Sequence, residues 1–130
     1  MEILEAPIYQ KLIKLYKALH LYRSSIPKQD RFTLWQKCEN SVIEILDCLL
    51  LAAQLPKEQK LTEMEKLSRQ LNILRVLLRV AKEVKTIENK KYVNLQMIID
   101  EIGRMLGGWI KSVKNPKENT LGSNEGKRLV

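Results

Sequence analysis

Arg75, Arg79 and Lys82 stand four and three residues apart. On a helix that spacing gathers three cations on one face, where they can follow a phosphate backbone. Arg104 and Lys111, seven residues apart, share a face in the same way farther along the chain. Lys57 and Lys60 project in a similar direction to the first group if its helix runs straight. Such cations neutralise phosphates and fix register without reading base sequence. The competing reading pairs some of them with acids such as Glu39 and leaves the rest solvated. A net charge of +8 and a pI near 9.6 favour a polyanionic partner: RNA, DNA or an acidic protein surface.

Catalytic chemistry finds little to work with. His20 is the single histidine, and it sits on a helix flank with no local nucleophile beside it. Cys38 and Cys48 are ten residues apart in one predicted helix. The helical rise then separates their backbones by roughly 15 Å, too far for a disulfide within the chain, and no histidine accompanies them to make a zinc site. The sequence has no glycine-rich phosphate loop and no Glu-x-x-His pair of the kind that builds di-iron sites in bundles. The expectation is a protein that is not an enzyme, with no catalytic residue, metal ligand or cofactor.

Four amphipathic helices must carry these residues. The first is predicted to begin at Pro7 and run to about Ser24, with Ile8, Leu12, Leu15, Leu19 and Tyr22 on its buried face. Lys11, Lys14 and Lys17 lie off that stripe and are expected to be solvated or to face a ligand. A turn at Ser24–Lys28 leads into a second helix reaching about Gln54, with Phe32, Trp35, Val42, Leu46, Leu49 and Ala53 facing the core. Leu55-Pro56-Lys57 starts a third helix to about Thr86, whose core face is Leu67, Leu71, Leu74, Leu77, Leu78, Ala81 and Val84. The fourth covers about Glu88 to Val113, with Leu95, Ile99, Ile102, Leu106, Trp109 and Val113 on one side. No strand-like alternation competes. Short connections between long helices favour antiparallel neighbours, so the fold class is all-α, an antiparallel up-down-up-down four-helix bundle over residues 1–113. Residues 114–130 are polar and aperiodic and read as a disordered tail.

Two features break the pattern. Glu39 falls within the second helix's apolar stripe, where a carboxylate needs a partner, and an arginine from another helix is expected to meet it as a buried ion pair. Gly103, Gly107 and Gly108 interrupt the fourth helix, each costing about 1 kcal/mol relative to alanine. The expected reason is close approach of another backbone at these glycines and Trp109, from a neighbouring helix or another subunit, with a kink or early helix end as the alternative. Trp35, Trp109 and Phe32 are expected in the core or an interface, while Tyr9 and Tyr16 are the better exposed contacts. The N-terminus does not resemble a signal peptide, and the longest apolar run, residues 48–53, is too short to span a bilayer. The expected location is the cytoplasm, without membrane contact.

Three segments resemble a known family. Asp100-Glu101-Ile102-Gly103-Arg104-Met105-Leu106-Gly107-Gly108-Trp109-Ile110-Lys111 is similar to the accessory variability determinant (Avd-like) proteins of diversity-generating retroelements. So are Arg31-Phe32-Thr33-Leu34, followed by Glu39, and the run Leu71 to Ala81. The resemblance covers about residues 7–113, with Trp35 departing from the small residue expected after Phe-Thr-Leu. It implies a homopentameric barrel of four-helix bundles that binds the element's reverse transcriptase and its template RNA, in support of error-prone complementary DNA synthesis. Arg75, Arg79, Arg104 and Lys111 match basic positions of the family's motifs, so the resemblance implies nucleic-acid contact there. Four-helix bundles encoded in ribosomal RNA intervening sequences share the architecture and form an alternative. A protein-interaction module docking an acidic partner forms another.

Overall fold

The computed structural model describes residues 5–115. Among them the chain is all helical: α1 (Pro7–Tyr22), α2 (Leu34–Gln54), α3 (Lys57–Glu83) and α4 (Asn89–Lys114), with no strand. A 3-10 turn at Arg23–Ser25 and a one-turn helix at Lys28–Arg31 link α1 to α2. Pro7 takes the first position of α1, where its missing N–H is no loss. None of the four long helices has a side-chain hydrogen bond at its N-cap, so tertiary packing rather than capping holds them.

The four apolar stripes meet in one core. Ile8, Leu12, Leu15 and Leu19 of α1 are buried, as are Trp35, Val42, Ile45 and Leu49 of α2. Met64, Leu67, Leu71, Leu74 and Leu78 enter from α3, and Leu95, Ile99, Ile102, Leu106 and Trp109 from α4. Each fully buried side chain of this size stabilises by about 1.5–3 kcal/mol relative to exposure. α1 packs against α2 and α4, and α3 packs against the same two helices. Cross-helix contacts fix the pairings. Lys11 Nζ meets Glu101 Oε2 at 3.0 Å, and Asn94 Nδ2 donates to the Tyr22 hydroxyl at 2.8 Å. Lys11 is therefore half-buried in an ion pair, not simply solvated, and Lys11 holds the Glu101 carboxyl below its ordinary range.

Three expectations need correction. Phe32 is 66% exposed because the predicted second helix breaks at Phe32–Thr33. The break resets the helical phase, so Phe32 lies outside the stripe that Trp35 begins and packs under Arg23, whose guanidinium carbon is 5.0 Å from the ring centroid. Val84 is also exposed, because α3 ends one residue earlier. Lys85 there adopts a left-handed conformation, φ 64°. Its N–H bonds to the Lys82 carbonyl at 3.0 Å and that of Thr86 to the Ala81 carbonyl at 2.7 Å, the paired bonds of a Schellman stop. The turn buries Thr86 and Ile87 instead, and Thr86 Oγ1 donates to Asp30 Oδ2 at 2.9 Å. Finally, α4 runs unbroken through Gly107 and Gly108 to Lys114, so the glycines do not end it. The tail expected from residue 114 lies, beyond Asn115, outside the described residues.

Candidate nucleic-acid interface

α3 packs against α4, and each carries cations at helical spacing: Arg75, Arg79 and Lys82 on α3, Arg104 and Lys111 on α4. Arg75 to Lys82 spans seven residues, about 10 Å of helix, and Arg104 to Lys111 spans the same. Arg75 bridges the two helices. Its Nη2 meets Asp100 Oδ1 at 3.3 Å across the groove, and its Nη1 donates to Asn72 Oδ1 at 2.7 Å on its own helix. Gln96 Nε2 adds a 3.4 Å bond to the Arg75 carbonyl. Arg79 is well exposed and pairs along α3 with Glu83, Nε to Oε2 at 3.2 Å. An exposed pair of this kind contributes at most about 1 kcal/mol and gives way readily to a stronger anion. Lys82 Nζ lies 4.9 Å from the centroid of the Tyr92 ring on α4. Arg104 and Lys111 are exposed on α4.

The glycines divide by role. A Cβ built on Gly103 would come 2.8 Å from Arg75 Nη2, so Gly103 is the seat on which that guanidinium rests. What approaches it is a side chain, not the neighbouring backbone expected from the sequence. A Cβ on Gly107 meets nothing within 4 Å among the described residues. Gly108 is half-buried. Arg75 and Arg104 line a groove of about 370 Å³ between α3 and α4, over Gly103 and Gly107. Trp109 is buried, with Lys60 Nζ 5.8 Å from its ring centroid.

Glu39 stands apart from this face. It is 7% exposed, and its Oε1 accepts from Arg23 Nη1 at the α1–α2 junction. Arg23 itself comes from the 3-10 turn, so the acid's partner is neither Arg75 nor Arg79. Asp100 and Arg23 are not among the sequence-predicted site residues. Asp100 stands four residues before Arg104, a spacing that suggests a pair within α4, yet the structure turns it across the groove to Arg75. For Arg23 the only signal was its position one residue after the predicted stripe.

The two thiols are buried. Burial, reinforced by the neighbouring Glu39 charge, pushes Cys38 up to about 12. Burial and a contact with Glu63 push Cys48 up to about 11, and its Sγ donates to Gln70 Oε1 at 3.2 Å. Both stay protonated at neutral pH and are poor nucleophiles there. His20 stacks at 6.4 Å on Tyr16. No group of three metal-ligating side chains occurs among the described residues, and none of their helices is long and apolar enough to cross a membrane.

Compared with known proteins, the chain matches the family described as bAvd-like over residues 7–113. No curated protein and no solved structure matches the chain.

Proposed function

The chain belongs to the bAvd-like family, and from that premise we propose that it is a non-catalytic accessory protein of a diversity-generating retroelement. In this reading it is a cytoplasmic, homo-oligomeric bundle, a pentamer by family likeness, that joins template RNA or its complementary DNA to the reverse transcriptase. The polymerase chemistry belongs to the partner. Its helices run up-down-up-down, as the pairs Lys11–Glu101 and Tyr22–Asn94 for α1 with α4 support. Lys60–Trp109 and Lys82–Tyr92 support the same sense for α3 with α4.

The observation that carries the proposal is the groove between α3 and α4 lined by Arg75 and Arg104, with Arg79, Lys82 and Lys111 exposed on the same two helices. Exposed Ile73, Val76 and Val80, continued by Val84, form an apolar stripe on α3 that supports a contact between subunits. That stripe fits oligomerisation better than the glycines do.

Binding by charge must weaken as salt rises. The double variant Arg79→Glu, Arg104→Glu is expected to lose at least about tenfold in affinity for RNA and DNA, with the slope of log K against log salt reduced by about two. Titrations at several salt concentrations read both quantities. Lys17→Glu, on the exposed side of α1, is the control. An equal loss in the control would mean that general charge, rather than the α3–α4 flank, carries the binding.

A further inference from the structure

Gly107 is a helix-weakening residue whose missing side chain no neighbour among the described residues uses. Its neighbour in the stripe, Gly103, is explained by Arg75; Gly107 is not. The space above it belongs to the groove between α3 and α4, floored by half-buried Ile110 with the buried Leu71 and Leu106 beneath it, and flanked by Arg75 and Arg104. At about 370 Å³ it falls at the low end of pockets that hold small ligands, about 300–1,000 Å³.

We propose that this groove receives one unpaired nucleobase of a bound strand, laid over Gly107, with the adjoining phosphates on Arg104 and Arg75. This rests on the nucleic-acid reading above and deepens it, because cations alone would give binding indifferent to base and to strandedness. Three features point to a base rather than to phosphate alone. An apolar floor offers a phosphate nothing, whereas a flat ring with two weakly hydrated faces gains by covering it. Arginine guanidinium planes are partners on which unstacked bases lie. A duplex keeps its bases stacked inside, so only a single strand, loop or bulge can fill the groove.

Asp100 adds a preference. It lines the same groove, and Arg75 occupies only its Oδ1. The remaining oxygen accepts hydrogen bonds and donates none. It therefore suits a base that presents an exocyclic amine, such as cytosine or adenine, over thymine or uracil, whose single N–H on that edge lies between two carbonyls that the carboxylate would repel. An acidic protein segment would also be drawn to the arginines, but Asp100 opposes it and the floor is of no use to a carboxylate.

The test compares fluorescence anisotropy of labelled dC, dA and dT oligonucleotides and a duplex of equal length, on the full chain and on Gly107→Leu. The added side chain enters open space, so circular dichroism should stay unchanged, and Gly107→Ala serves as the milder filling. The wild-type chain is expected to bind dC and dA about tenfold more tightly than dT. In Gly107→Leu that ratio falls to about one, while duplex affinity, set by the cations, serves as the internal reference. Equal affinities for the three strands in the wild-type chain, or a preference that survives Gly107→Leu, would overturn the base groove. If the salt-dependent loss in the Arg79, Arg104 double variant is still seen, the nucleic-acid reading stands without it. A changed oligomer mass in Gly107→Leu would assign the groove to a subunit contact, and loss of poly-glutamate binding in that variant would assign it to an acidic protein segment. Either overturns the proposal. No binding of any nucleic acid at low salt removes both readings together.

Discussion

Trp35→Ala is expected to lower stability by about 4 kcal/mol, at the scale of large-to-small changes of a fully buried tryptophan. That is a large share of the roughly 5–15 kcal/mol that holds a domain together. The indole is 0% exposed and fills the point where α2 enters the core. Its Nε1 donates to the Leu19 carbonyl at 3.0 Å, tying the start of α2 to the last turns of α1. Trp35→Phe keeps most of the ring and loses the bond, and should cost only about 1–2 kcal/mol. Urea unfolding monitored by circular dichroism separates the two variants. An alanine variant within 1 kcal/mol of the wild-type chain would show that the junction collapses around the missing ring.

The second large effect is expected at the same junction. Arg23→Met keeps the aliphatic stem but removes the guanidinium, leaving the Glu39 carboxylate buried and unpaired. For fully buried pairs that loss is about 3–5 kcal/mol. The Arg23 side chain is 24% exposed and that of Glu39 9%, so solvent softens the loss to about 2–3 kcal/mol. A melting temperature lower by roughly 10 °C follows for a chain of this size. Adding Glu39→Met to Arg23→Met removes the stranded charge and should recover more than half of the loss. If the double variant were less stable than Arg23→Met alone, Glu39 would be held by something other than its arginine.

Much of the fold was legible in the sequence, because apolar residues at intervals of three and four report a buried face directly. Leu12, Leu15 and Leu19, or Ile99, Ile102 and Leu106, allow no other reading. The places that escaped are those where the period is interrupted by local geometry. Phe32 has the spacing of a core residue, but the backbone break at Phe32–Thr33 shifts its phase, and periodicity assumes an unbroken helix. Val84 failed for the same reason at the other end of α3, where the left-handed Lys85 ends the helix without the glycine that normally marks such a stop.

The candidate site was legible as charge and not as geometry. Helical spacing aligned Arg75, Arg79 and Lys82 on one face, but which acids cross from α4 to meet them depends on how two helices abut. Asp100, four residues before Arg104 on its own helix, reaches across to Arg75 instead. The three glycines illustrate the same limit. One sequence signal covered a seat for a guanidinium at Gly103 and open space at Gly107, two situations that only a neighbouring helix can tell apart.

Lys60 Nζ lies 5.8 Å from the centroid of the Trp109 ring, whereas among the described residues no cation stacks on Trp35. Optically, the chain's two tryptophans are unlike chromophores. An ammonium over an indole perturbs its excited state, so Trp109 emission depends on where the Lys60 charge sits. A polyanion that draws Lys60 off the ring changes that emission, while the sealed indole of Trp35 stays dark to the event. The pairing of Lys60 with Trp109 thus makes the intrinsic fluorescence of this protein a label-free gauge of charge arriving where α3 and α4 meet.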